Sequence, residues 1–282
     1  MRALALTRPR GLDGLQSVFV GRGGELAQLQ RAYRRVVAGG RPVLVSVVGD
    51  AGVGKTRLVH EFWRWLGGQP EQPLLRSGRC LSYGHGITYW PLGEVLKEHF
   101  GILESDPPEV AAERVAGREG LGFTLGLAPP EGMHPLTVRD RLRTSWVGFL
   151  QELTAERPAA VLVEDLHWAG DELCELLQML ADQVAGPLLL LVTARPELLD
   201  QRPGLAASAG ASLLRLEALP VAEVGLAGKS RPKRYAPRRC CGHGGPRTWP
   251  SAATRSTRGW PCSTAPSASK ATRRSRPASG SA

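Results

Sequence analysis

Residues Gly49 to Thr56 read GDAGVGKT and satisfy the pattern G-x-x-x-x-G-K-[ST] at every specified position, between an apolar run and an amphipathic stretch. This constrains the fold more than any other segment. PVLVSVVG (Pro42 to Gly49) is β-branched, apolar and bounded by turn residues, as a buried parallel strand requires. KTRLVHEFWRWL then carries Leu58, Val59, Phe62, Trp65 and Leu66 at helical spacing and stops at Gly67-Gly68. The order is strand, glycine-rich loop, helix. Gly49, Gly52 and Gly54 let the backbone bend so that successive N–H groups line one concavity, which suits nucleotide phosphates. In that reading Asp50, Ala51 and Val53 supply further loop backbone, and Lys55 reaches the β- and γ-phosphates. Thr56 places its hydroxyl in a Mg²⁺ shell.

The same alternation continues along the chain. Leu26, Leu29, Ala32, Tyr33, Val36 and Val37 predict a helix ending at Gly39-Gly40, and PLLRSGRC (Pro73 to Cys80) a second strand. The aromatic loop SYGHGITYWPLGEVL leads into a helix near Pro91, and residues 107–127 read as a short helix and a turn. Leu142, Trp146, Phe149, Leu150 and Leu153 mark a helix within 137–156. Strands follow at Ala159 to Val163, Leu188 to Thr193 and Ala211 to Leu219, with a helix from Glu172 to about Val184. Strands separated by helices predict a three-layer α/β domain with a parallel sheet covered on both faces.

VLVED, at the exit of the third strand, is the only apolar strand that ends in adjacent carboxylates. A phosphate loop needs acidic partners beside it, because Mg²⁺ takes oxygen ligands and hydrolysis needs a residue to orient or deprotonate water. Glu164 is assigned mainly to the metal, often through water, and Asp165 to the attacking water; on sequence the two roles are exchangeable. Arg195, in VTARPE after the next strand, is placed to sense the γ-phosphate, with a solvated loop arginine as the alternative. His167 is read as ordering the loop after the carboxylates.

Charge divides the chain. Residues 227–282 hold 13 of the 36 Lys and Arg and none of the 26 Asp and Glu, so the 23 basic and 26 acidic residues before them leave a net of −3. The formal +10 therefore belongs to the end of the chain and says nothing about the phosphate loop's domain. That end lacks aliphatic periodicity and is read as disordered. Its Arg, Pro, Ser, Ala and Gly content fits a frameshifted or truncated end better than a selected basic arm for nucleic acid. The CCGH run from Cys240 fits no zinc spacing. Five cysteines without C-x-x-C spacing, no signal-length apolar run and no stretch of 18 apolar residues lead to the expectation of a cytoplasmic protein without a membrane span.

As a set, FVGRGGEL, VVGDAGVGKTRLVHEF, GRCLSYGHGITYWPLGEVL, LVEDLHWAGDELCELL and LVTARPE closely resemble the AAA-like ATPase domain of bacterial STAND signalling proteins, over roughly residues 18–225. The resemblance implies an ATP-binding switch, often linked to a cyclase or a helix-turn-helix domain, with protein partners or self-association. It implies that Val20, Gly21 and Arg22 lie near adenine and ribose, and that the sheet order is 5-1-4-3-2. The chain departs from the pattern at Gly23, where an acid is expected, although Glu25 follows. Gly170 intervenes before Asp171, and the lid and winged helix are not recognisable after Leu226. The expected organisation is a leader (1–17), an ATPase domain (18–226) and a basic tail (227–282). The expected function is an ATP-binding, conditionally hydrolysing regulatory module, here a fragment of a larger regulator. The alternatives are a nucleic-acid-associated protein of the replication-loader type using the tail, and a small-molecule kinase with its acceptor pocket between Ser82 and Trp90.

Overall fold

The computed structural model describes residues 19–82, 88–207 and 211–220. The leader, the basic tail with its CCGH run, and most of the supposed acceptor pocket lie outside them. Five parallel strands form one sheet: β1 (Val43–Gly49), β2 (Leu74–Arg79), β3 (Ala159–Glu164), β4 (Leu188–Ala194) and β5 (Ser212–Leu216). Their order is β2-β3-β4-β1-β5, which is the 5-1-4-3-2 arrangement implied by the resemblance.

Alternation along the strands splits the core in two. Leu44 and Val48 of β1, Val161 and Val163 of β3, and Leu190 and Val192 of β4 face one side. Val45, Val47, Leu162, Leu189 and Leu191 face the other. Burial on both faces is why these strands read as continuous apolar runs rather than alternating ones. The second face is covered by α1 (Gly23–Gly39) and α2 (Lys55–Leu66), through Leu29, Tyr33, Val36, Leu58, Phe62 and Trp63. Trp65, which the sequence placed in that core, is half-buried, stacked on Phe62 at 5.8 Å and edge-on to Tyr33 at 5.8 Å. Gly40 ends α1 at φ +57°, its N–H donated to the Val36 carbonyl.

The first face is covered by α3 (Trp90–Phe100), α5 (Glu119–Thr124), α6 (Pro135–Glu156) and α7 (Asp171–Gln183). Where one short helix and a turn were expected over 107–127, there are two helices, α4 (Pro108–Arg114) and α5. Gly117 and Gly126 turn the chain before and after α5 at φ +79° and +86°, whereas Gly120 and Gly122, inside α5, are packing residues rather than breakers. A Cβ on Gly120 would run into the Arg141 carbonyl of α6, so its absence lets the two backbones approach. Trp146 of α6, fully buried, donates its indole N–H to Thr124 Oγ1 at 2.9 Å and ties α6 to α5. Two further short helices, α8 (Glu197–Gln201) and α9 (Gly204–Ala207), precede β5.

Among the described residues, Cys80 and Cys174 are buried free thiols, both pushed up to about 12 mainly by burial. No described helix is long and apolar enough to cross a membrane.

Candidate nucleotide site

Parallel pairing brings the carboxyl ends of β3, β4 and β1 side by side, with Val163 beside Val192 and Ala194 beside Val48. Three separated sequence motifs therefore meet on one edge. In open α/β sheets, ligands bind at that edge.

The loop from Gly49 to Gly54 turns through positive φ at Gly52 (+79°) and Gly54 (+102°) before entering α2. Gly49 is needed for a different reason. A Cβ there would sit 2.7 Å from the Leu216 carbonyl and 2.8 Å from Val53 Cγ1, so the loop could not close against β5. Lys55 Nζ arches over the loop and donates to the carbonyls of Gly49 (2.6 Å) and Asp50 (2.8 Å). Burial lowers the Lys55 pKa; Asp165 and Asp50 oppose this and Arg195 adds to it. The first turn of α2 begins under this loop, and its opening amides have no acceptor within the helix.

The turn Val20-Gly21-Arg22 closes one flank. Arg22, only 7% exposed, donates to Glu25 Oε1 (2.7 Å), to the Val53 carbonyl (3.3 Å) and to the Glu217 carbonyl. Its guanidinium thus ties the turn to the phosphate loop and to the exit of β5, leaving backbone to face a ligand. Glu25 supplies the acid that Gly23 does not.

The exit of β3 is strained. Asp165 adopts φ +56°, unusual for a residue with a Cβ, and donates its amide to Thr193 Oγ1 on β4 at 3.1 Å. Its carboxylate is held by Arg79 at the end of β2, with Oδ2 2.8 Å from Nε and 2.7 Å from Nη2. Glu164, 8% exposed, accepts the Cys80 amide with its backbone carbonyl at 2.9 Å, and its carboxylate makes no ion pair within 4 Å among the described residues. Burial pushes its pKa up to about 7, against Arg79, with Asp165 and Glu94 adding to the rise. A cation beside it would offset that cost. The Thr56 hydroxyl and the Glu164 carboxylate are both hard oxygen donors of the kind Mg²⁺ takes, so the donor set fits the metal.

Arg195 leaves β4 with its guanidinium 5.7 Å above the Trp168 ring. His167 lies in the same field. Burial lowers its pKa, Asp165 opposes, and Arg195 and Lys55 reinforce the lowering. Both its ring nitrogens are buried without a partner, so it does not order the loop by hydrogen bonding; its ring sits 5.0 Å from Trp168. The charges of Asp165 and Arg195 both act on Lys55, so these three residues share one electrostatic neighbourhood. Arg79, Thr193 and the central position of His167 were missed. Arg79 lies 86 residues from Asp165, and only the pairing of Arg79 with Glu164 in the sheet signals the contact.

The family profile of the AAA ATPase domain matches residues 18–192. An uncharacterized protein of Rhizobium meliloti is 28% identical over 193 residues, which cover 63% of this chain and 18% of that protein. Among solved structures, the Aeropyrum pernix ORC1 protein in complex with DNA superposes with a TM-score of 0.42 at 16% identity, over 73% of this chain and 47% of its own. A Pyrococcus horikoshii STAND protein with a tetratricopeptide repeat sensor gives 0.37 at 20%, over 72% and 24%. The chain thus spans less than half of the length of each.

Proposed function

Because the chain belongs to the AAA ATPase domain family, we propose that residues 18–226 form an ATP-binding regulatory module of the STAND type, one part of a larger signalling or transcriptional regulator in the cytoplasm. The observation that carries this reading is the convergence of two cations, Lys55 and Arg195, with the Asp165 carboxylate beside a glycine loop that opens onto a helix N-terminus. Two positive charges in a half-buried setting oppose one another, and a polyphosphate relieves that opposition.

Each residue has a role in this reading. The amides of residues 49–56 cradle the α- and β-phosphates, Lys55 turns from the loop carbonyls to the β- and γ-oxygens, and Arg195 meets the γ-phosphate. Thr56 and Glu164 would hold Mg²⁺, which would supply neutralisation of the phosphate charge. Asp165, the acid whose charge acts on Lys55, orients the attacking water. Val20, Gly21 and the backbone of Arg22 border the base and ribose. With Asp165 engaged by Arg79, turnover is slow until a partner or a second copy changes that contact.

The test is calorimetric titration of Mg·ATP into the full chain and into Lys55→Ala, with phosphate release measured in parallel. Loss of binding in the variant is expected. Equal affinity in the two proteins would remove the basis of this reading.

A further inference from the structure

β5 is an outermost strand of the sheet. One edge pairs in parallel with β1 from Ser212 to Leu216, and the other pairs with no described strand. The backbone amides and carbonyls along such an edge are a template for one more strand. Beside the amino-terminal half of β5, a groove of about 350 Å³ opens between this strand and α1. Val45 and Leu214 form its buried floor, and Gln28, Arg31, Arg35 and Ser212 its rim. Ser212 lies opposite Val45, whereas the phosphate loop starts where Gly49 lies opposite Leu216, about 13 Å further along the strand. None of residues 49–56 lines the groove.

The groove carries charge of one sign. Arg31 and Arg35 are the ionisable side chains of its lining, no carboxylate joins them there, and neither has an ion pair among the described residues. Both are exposed. They stand one helical turn apart on one face of α1, where like charges repel. Arg35 Nη2 donates to Ser212 Oγ at 3.1 Å, which holds this guanidinium against the strand. An anion seated between the two arginines removes their repulsion and leaves the strand edge free to pair.

We propose that the open edge of β5 receives an extended acidic segment of a partner protein as a sixth strand, its carboxylates between Arg31 and Arg35. Strand side chains alternate between faces, so acids at every second position face α1 and meet both arginines. Neither end of this chain suits the groove. Residues 227–282 carry 13 basic and no acidic side chains, and residues 1–17 set Arg2, Arg8 and Arg10 against Asp13. A second copy paired edge to edge about a twofold axis brings the same arginines together. Nucleic acid cannot pair with a strand backbone, and two arginines on a segment of net charge −3 (residues 1–226) give little hold on a polyanion. The inference stands apart from nucleotide binding, since the phosphate loop takes no part in it.

The test is calorimetric titration into the full chain, without nucleotide, of an acetylated and amidated hexapeptide that alternates valine and glutamate, with its valine–lysine counterpart as control. Saturable binding of the glutamate peptide and none of the lysine peptide is expected. The double variant Arg31→Ala, Arg35→Ala should weaken the glutamate peptide about tenfold or more. In the double variant Arg31→Glu, Arg35→Glu the preference should reverse, so that the lysine peptide binds. Methylating the amide nitrogens of one alternate set of peptide residues should abolish binding, and methylating the other set should be tolerated, because only one set faces β5. Melting curves verify that both variants are folded. Undiminished affinity in the folded alanine variant assigns the binding to another surface, the basic tail included, and overturns the proposal. Absence of saturable binding, or an equal effect of the two methylated sets, overturns it too. A short DNA duplex that displaces the peptide, and whose own binding is lost in the alanine variant, gives the groove to nucleic acid instead.

Discussion

Asp165 and Arg79 meet through a single carboxylate oxygen, Oδ2, which lies 2.8 Å from Nε and 2.7 Å from Nη2 of the guanidinium. The contact joins the exits of two neighbouring strands and holds the acid in a left-handed backbone conformation. An oxygen already accepting from two charged donors is poorly placed to take a proton from water. Arg79→Ala is therefore expected to raise ATP turnover several-fold while the affinity for Mg·ATP stays within twofold. Turnover falling as far as in Asp165→Asn would show instead that Arg79 positions the acid productively.

Glu164 links stability to pH. Its pKa in the fold, about 7, lies above the ordinary carboxylate value of 4.5. The folded protein thus binds the proton more tightly than the unfolded chain, and stability present below pH 4.5 is lost as pH rises through 7. Glu164→Gln is expected to be within about 1 kcal/mol of the parent near pH 5 and to exceed it by about 3 kcal/mol at pH 8 in EDTA. Urea melts at the two pH values measure this, and an equal difference at both would contradict the assignment.

His99 acts in the opposite sense. Its ring is half-buried, edge-on to Phe100 at 4.8 Å and Phe149 at 5.0 Å; burial lowers its pKa, with Arg76 and Arg118 adding to the effect. The unfolded chain takes up the proton first, so stability falls as pH drops below about 6.5, the ordinary histidine value. His99→Gln should flatten the acid limb of a melting-temperature profile between pH 7 and pH 5. His167 shares the direction of shift, so part of the slope remains.

Thr124→Val removes the acceptor of the Trp146 indole N–H inside the core between α5 and α6. Shape is conserved and one buried donor is left unsatisfied, at a cost of about 1–3 kcal/mol. The midpoint of urea unfolding should fall accordingly, with ATP binding to the surviving folded fraction unchanged.

Gly78 of β2 lies directly under Pro91 at the start of α3; a Cβ there would fall within the Pro91 carbonyl. Backbone cannot yield as the tip of a side chain can. Gly78→Ala should thus cost more than the roughly 1–3 kcal/mol typical of an overpacked core, read as a lowered melting temperature. A melting temperature within a degree of the parent would show that α3 moves freely on β2.

Much of the fold was legible because burial on both faces makes β1, β3 and β4 uninterrupted apolar runs, and because α1, α2, α6 and α7 carry one apolar stripe each. The helices at 108–114 and 119–124 were harder to read. Gly120 and Gly122 have the signature of a turn, yet Gly120 serves close contact with α6, a fact that exists only once α6 is in place. His167 shows the same limit at the site. Its neighbours in the chain suggest a loop residue, whereas its setting is fixed by charges from three different strand exits.

From residues 49–56 and from Glu164-Asp165 the chain by itself determined the kind of ligand edge it builds, because backbone conformation at Gly52 and Gly54 and the apolar-then-acidic end of β3 are local properties. Tertiary structure alone decided which groups share that edge. Arg79 on Asp165, Arg22 on the loop and on the exit of β5, and the burial of Glu164 between neighbouring strand ends all follow from the order β2-β3-β4-β1-β5. The order places strands far apart in sequence side by side, and the charges at their ends act over ångströms of space rather than residues of chain.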